Sequence, residues 1–123
     1  MGIRKFLTLI IAGLVLTLVA CEYEFIEPDN TLVPEDVRFA KDIIPIFNAS
    51  CNMIGCHAPG AKSPDLSAAN AYNDLIQKNM INTGSPAQSK LYKSITTGSM
   101  KNFASTAQAK IILAWIEQGA LNN

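Results

Sequence analysis

Residues 105–120 read STAQAKIILAWIEQGA, and this stretch decides the fold class of the chain. Ser105 and Gln108 have the spacing of a capping box, in which two side chains satisfy the first backbone N–H groups of a helix. Apolar residues then recur at helical spacing, at Ile111, Ile112, Trp115 and Ile116. The pattern predicts a helix over 106–118, with Gly119 as its C-cap.

Three shorter helices are predicted upstream of this one. Asp42 is expected to cap the first, which holds Pro45 in its first turn, where proline is tolerated, and runs into Cys51. The other two are expected over 68–78 and 86–95. Their apolar faces comprise, in chain order, Ile43, Ile46 and Phe47, then Tyr72, Leu75 and Ile76, then Leu91, Tyr92 and Ile95.

No stretch alternates with the period of a β-strand, so the sequence predicts an all-α domain. Connections rich in Gly, Ser, Asn and Pro lie at 57–67, 80–86 and 96–104. The folded domain is expected to span 36–123, and domains of this size often need a staple or a prosthetic group to complete the core. Such long loops are expected where a ligand fills the middle of the domain.

The N-terminal residues 1–20 differ sharply from the rest. Arg4 and Lys5 precede an apolar run over 6–19, which is shorter than the roughly 20 residues of a membrane-spanning helix and is typical of a secretory signal. The sequence LVAC at 18–21 resembles the lipobox of bacterial lipoproteins. That resemblance implies a lipidated Cys21 that anchors the mature chain in the inner or outer membrane of the cell envelope. An ordinary cleaved signal and a short anchor helix are the alternatives.

The charge of the mature chain excludes one class of partner. Removal of Arg4 and Lys5 with the signal leaves eight basic and ten acidic residues, a net charge near −2, and no basic patch that would favour nucleic acid. The segment 21–35 is predicted to be an acidic tether. The acidic residues and prolines that support this prediction are Glu22, Glu24, Glu27, Asp29, Pro28 and Pro34.

Residues 51–57 read CNMIGCH. A cysteine pair followed at once by histidine is the attachment pattern of haem c, normally with two residues between the cysteines. The two thiols add to the porphyrin vinyl groups, and the histidine binds the iron. Here four residues separate Cys51 from Cys56, and on a continuous helix two such side chains would diverge by about 140°. The segment must therefore loop out, and Gly55 provides the backbone freedom.

Two other interpretations use the same residues. Cys51 and Cys56 suit a disulfide in a structural or binding lipoprotein, because secreted chains form disulfides readily. A zinc site is the other possibility, although structural zinc takes four ligands and His57 is the one histidine of the chain.

Further motifs follow one another in a recognisable order: DIIPIF at 42–47, GSP at 84–86, SKLY at 89–92 and WIEQGA at 115–120. Together with the cysteine pair, they resemble the small cytochrome c domains of secreted proteins from Bacteroidetes and Planctomycetes. The resemblance covers roughly residues 37–121. It implies a cytochrome c-like fold of about four short helices with long loops around one covalent haem c.

The resemblance also implies the ligands of that haem. Cys51 and Cys56 would attach it, His57 would be the proximal iron ligand, and Met100 falls where the family has its distal ligand. The proline that usually follows this methionine is Lys101 here. A thioether ligand favours ferrous iron, which suits electron transfer.

Met80 is the fallback for the distal ligand, whereas Met53 is expected on the wrong side of the ring. Without either thioether the iron would be five-coordinate, and ligand sensing would become the better interpretation. The residues expected against the porphyrin faces are Phe47, Leu91, Tyr92, Ile112 and Trp115. The sequence thus predicts a monohaem electron carrier between two redox partners, with no enzymatic activity and no small-molecule substrate, because no acid–base constellation stands out.

Overall fold

The computed structural model describes Gly2 and residues 32–123, so the rest of the predicted signal, Cys21 and most of the tether lie outside the described residues. Within 32–123 the chain forms four α-helices and no strand, which confirms the all-α prediction. The helices are α1 (Ile44–Ser50), α2 (Ala71–Gln77), α3 (Lys90–Thr96) and α4 (Thr106–Glu117). None of the helices in this described part has the length and hydropathy needed to cross a bilayer.

The longest helix, α4, begins as its sequence predicts. The Gln108 N–H donates to Ser105 Oγ at 3.2 Å, and the Ser105 N–H donates to Gln108 Oε1 at 2.9 Å. This reciprocal pair is the predicted capping box. The helix ends at Glu117, and Gly119 follows with a φ of +97°, a backbone conformation that glycine adopts without steric cost.

The start of the first helix differs from the prediction. A π-helical turn, Phe39–Ile43, leads directly into α1, so Asp42 lies inside the helical segment and is not its N-cap. Its carboxylate instead accepts the Arg38 N–H at 2.8 Å. The helical segment starts a turn earlier because Phe39, which is only 3 % exposed, packs into the core.

Two predicted helices are shorter in the structure. α2 starts at Ala71, and its Ile76, expected on the buried face, is 45 % exposed. The predicted helix over 86–95 is divided into a 3-10 helix, Pro86–Gln88, and α3. The break falls at the buried Ser89, whose backbone is extended and whose Oγ accepts the Asn82 N–H at 2.9 Å.

Aromatic side chains form one end of the core. The ring of Trp115 is fully buried, and its centroid lies 5.1 Å from that of Phe39 and 6.5 Å from that of Tyr72. The Trp115 Nε1–H donates to the Leu121 carbonyl at 2.9 Å, which satisfies its one polar group. Ile112 of α4 is also buried, with 1 % of its surface exposed, and its side chain lines the cavity described in the next subsection.

Candidate functional site

The segment between the two cysteines is a loop closed by its own backbone. The Cys56 N–H donates to the Met53 carbonyl at 2.9 Å, and the His57 N–H donates to the Cys51 carbonyl at 3.1 Å. Gly55 has a φ of +82°, the left-handed conformation that the departure from helical geometry required. The hydrogen bond from His57 to Cys51 places both cysteines at the base of the loop.

The tip of this loop points away from the domain. Met53 is 55 % exposed and Ile54 is fully exposed, whereas Cys51 and Cys56 are partly buried. The side chains between the cysteines therefore lie outside the space that the cysteines face. Met53 is not among the residues that line the cavity, and its exclusion as an iron ligand stays a prediction.

A mostly apolar cavity of about 380 Å³ lies beside the base of the loop. This volume falls within the range of roughly 300–1,000 Å³ that is typical of ligand pockets. All four predicted haem ligands line the cavity, as does the fallback methionine: Cys51, Cys56, His57, Met100 and Met80. Residues that are remote in sequence thus line one cavity.

The walls of the cavity include some of the residues predicted to pack against a porphyrin. Phe47, Leu91 and Ile112 line it, but Tyr92 and Trp115 do not. Trp115 is taken up by the aromatic end of the core, and Tyr92 packs half-buried against the core without reaching the cavity. The cavity therefore does not support contact of these two side chains with a porphyrin, and that contact stays a prediction.

The ring of His57 is held by backbone carbonyls. Its Nδ1 lies 2.8 Å from the Pro64 oxygen and 3.2 Å from the Lys62 oxygen. Because carbonyl oxygens can only accept, these partners assign the proton to Nδ1 and leave the lone pair on Nε2. This is the tautomer of a histidine that binds a metal through Nε2 while its other nitrogen is oriented by the protein.

The two carbonyls belong to a segment, residues 58–66, that folds back over the cysteine loop and is called the strap below. The Lys62 N–H donates to the Cys56 carbonyl and the Leu66 N–H to the His57 carbonyl, both at 2.8 Å. Leu66 is 4 % exposed and lines the cavity. The sequence of this stretch predicts only a connection, and no local pattern in it indicates that its carbonyls orient a ring.

The Cys51 thiol responds to its surroundings. Burial, and to a lesser degree the nearby Cys56, raise the pKa of the Cys51 thiol above its ordinary value. The two cysteines are not bonded to each other in the structure. Within the described residues no cluster of three or more His, Cys, Asp or Glu side chains is arranged to hold a metal ion.

The two candidate thioether ligands are placed by different elements. Met100 follows α3, and its N–H donates to the Ser94 carbonyl at 3.0 Å. Met80 follows α2; its N–H donates to Leu75 and its carbonyl accepts the Leu91 N–H at 3.1 Å. Both methionines are partly buried against the core and line the cavity.

Gly98 allows the turn that carries Met100 to pass close to α3. A Cβ added at Gly98 would lie 2.8 Å from Ser94 Cα and 3.1 Å from the Lys93 and Ser94 oxygens. Only a residue without a Cβ fits there undistorted. Gly98 lies in a predicted connection, and the sequence around it does not indicate this requirement.

The donor set of the cavity fits a covalently bound haem. Two thiols stand next to an imidazole with a free Nε2, a thioether lies on the same cavity, and the remaining walls are largely apolar. These are the attachment groups and axial ligands that a c-type haem uses. No protein-family model matches the chain, and comparison with curated proteins and with solved structures finds no significant relative.

Proposed function

We propose that this chain is a membrane-anchored monohaem c-type cytochrome that transfers single electrons between redox partners. The observation that supports the proposal best is that Cys51, Cys56, His57 and Met100 line one apolar cavity. The motif order along the sequence supports it independently. A disulfide alone would not require a histidine next to the cysteines with its ring oriented through Nδ1 and its Nε2 free to bind a metal.

Each residue has a defined role in this proposal. The thiols of Cys51 and Cys56 would hold the porphyrin edge, and His57 Nε2 and the Met100 sulfur would bind the iron. The bound haem supplies a one-electron Fe(III)/Fe(II) couple. The chain itself orients the imidazole through the strap carbonyls, and the mostly apolar walls of the cavity, among them Phe47, would contact the porphyrin. Neither role requires a substrate, so the proposal is an electron carrier without enzymatic activity.

The cell-envelope location rests on the N-terminal pattern. A lipidated Cys21 would keep the carrier at the inner or outer membrane, facing the periplasm or the cell surface, with the tether 21–35 between anchor and domain. One electron donor and one electron acceptor are required, and both are redox proteins in this proposal.

Expression of the full chain in a host with haem c maturation tests the proposal. We expect the intact mass to include one haem and the reduced-minus-oxidised spectrum to show the bands of haem c. Cys51→Ala and Cys56→Ala should each lose one thioether attachment. Absence of haem mass and of the difference bands in the unmodified chain would refute the cytochrome proposal.

The sixth iron ligand is assigned by a pair of variants. Met100→Ala should abolish the low-spin spectrum and lower the reduction potential, because a thioether stabilises ferrous iron. Met80→Ala removes the other thioether on the cavity and is the matched control. The reverse result would assign the ligand to Met80, and no spectral change in either variant would favour a five-coordinate haem sensor.

One observation favours a second candidate, a structural or binding lipoprotein with a Cys51–Cys56 disulfide. The two thiols are close enough for Cys56 to influence the pKa of Cys51. In that case the secreted chain would lack haem, and its mass would be lower by two hydrogens until a reductant restored them. The same mass measurement therefore distinguishes the two candidates.

A further inference from the structure

We propose that Asp74 is a positioning residue for His57 and acts on it through the peptide group between Pro64 and Asp65. The carboxylate orients that peptide group and strengthens the hydrogen bond that its carbonyl receives from the ring. The consequence for a haem iron rests on the function proposed above, whereas the consequence for the histidine ring does not.

A continuous chain of hydrogen bonds links the two side chains. The Pro64 carbonyl oxygen lies 2.8 Å from His57 Nδ1, and the Asp65 N–H donates to Asp74 Oδ2, also at 2.8 Å. The carbonyl and the N–H belong to one planar peptide group and point in opposite directions along it. The carboxylate therefore faces one side of the peptide group and the imidazole the other.

Neighbouring contacts keep this peptide group from rotating. The Asp65 carboxylate accepts the Ser67 N–H at 2.9 Å and the Asn70 Nδ2–H at 2.8 Å. One residue further, the Leu66 N–H is bonded to the His57 carbonyl. The strap is thus fastened on both sides of the carbonyl that meets the ring.

Asp74 is itself well placed to act as a fixed charge. It lies in α2, its side chain is only 25 % exposed, and the Lys78 ammonium lies 3.6 Å from Oδ2, one helical turn away. An N–H donated to a carboxylate makes a hydrogen bond roughly twice as strong as one between neutral groups. Within a hydrogen-bonded chain such a bond polarises the next one.

The expected effect on His57 follows from that polarisation. A carbonyl polarised by Asp74 is a better acceptor for the Nδ1 proton, which secures the tautomer with a free Nε2 and makes Nε2 a stronger donor to a metal. In many metal sites a carboxylate binds the histidine directly. Here a peptide group stands between them and transmits the same influence.

The test uses the ring ¹⁵N resonances of the full, haem-free chain. They are recorded at a pH high enough for NMR to show that the ring is neutral. His57 is the one histidine of the chain, so a single set of resonances reports its tautomer. Asp74→Ala should convert a ring that is predominantly protonated at Nδ1 into a mixture with a substantial Nε2–H population. Asp74→Asn keeps an acceptor oxygen, so it should retain the tautomer with a smaller change of the resonances.

Asp42→Ala is the matched control, because the Asp42 carboxylate also accepts a backbone N–H at 2.8 Å but lies in the helical segment before the cysteines. The control should leave the His57 resonances unchanged. If Asp74→Ala lowers the melting temperature as Asp42→Ala does and the tautomer stays the same, Asp74 is only a structural anchor of the strap and the proposal fails.

The haem-loaded protein provides a second readout. Weaker donation from His57 should raise the reduction potential in Asp74→Ala, by less in Asp74→Asn, and not in Asp42→Ala. An unmodified chain that takes up no haem would refute the cytochrome proposal, and the ring resonances would still decide whether Asp74 controls the tautomer.

Discussion

Replacing Gly98 with alanine perturbs the turn that carries Met100. The added methyl group would lie 2.8 Å from Ser94 Cα and 3.1 Å from two helix carbonyl oxygens. These are backbone atoms inside α3, so they cannot rotate out of the way as a side chain would. The same Ser94 oxygen accepts the Met100 N–H at 3.0 Å, and the crowding therefore reaches the candidate ligand directly.

The magnitude follows from two opposing effects. Forcing an extra methyl into a filled space costs about 1–3 kcal/mol. Replacing glycine by alanine also restricts the unfolded chain, which offsets about 0.4–1 kcal/mol of that cost. The midpoints of these two ranges give a net loss of about 1.3 kcal/mol in the free energy of unfolding for Gly98→Ala, which lowers Tm by roughly 5–10 °C in a domain of this size.

Urea unfolding followed by circular dichroism measures this change, and the haem-loaded form adds the fraction of low-spin iron. Gly84→Ala is the control, because the nearest atom to an added Cβ there is Asn82 Oδ1 at an ordinary 3.5 Å. That variant should stay within about 0.5 kcal/mol of the unmodified protein. Equal stabilities of the two variants would show that Gly98 does not pass α3 as closely as the structure has it.

Three further predictions concern the core, the cap and the thiols. Leu75→Ala should cost about 2–5 kcal/mol in urea unfolding because Leu75 is fully buried, whereas its half-exposed neighbour Ile76 should tolerate alanine with a much smaller loss. Ser105→Ala removes the cap of α4 and should cost about 1 kcal/mol, and a loss indistinguishable from zero would contradict the capping geometry. Burial raises the pKa of Cys51, so its thiol stays protonated in the folded haem-free chain at a pH where the unfolded chain ionises. In Cys56→Ser near pH 9, iodoacetamide should therefore modify Cys51 more slowly in the folded chain than in the chain unfolded by urea. The free energy of unfolding should also decline as the pH rises above 9.0, the ordinary pKa of a thiol.

The secondary structure could be predicted where the signal was local. The capping pair of Ser105 and Gln108 and the apolar spacing of α4 lie within a few turns of each other, so the sequence contains the whole argument for that helix. The loop between the cysteines is similar, because two side chains five residues apart on a continuous helix could not both face one haem edge, and Gly55 supplies the left-handed residue of the loop. Both features depend on residues that are neighbours along the chain.

Tertiary packing overruled the local signals elsewhere. Asp42 has the chemistry of an N-cap, but burial of Phe39 extends the helical segment past it. Ser89 lies in a helix-compatible stretch, but its hydroxyl is buried against Asn82 and the helix breaks there. Trp115 was predicted to face a porphyrin, but its ring packs against Phe39 in the aromatic cluster of the core and does not line the cavity.

For the candidate site, the sequence by itself determined the donor types: two cysteines beside the one histidine, with methionines further along. Only the tertiary structure decided that they share one cavity, and that the Pro64 carbonyl and Asp74 are linked to the His57 ring. The reason is physical. A side chain's chemistry belongs to its residue, but a backbone carbonyl is the same at every position, and its role arises only from where the folded chain places it.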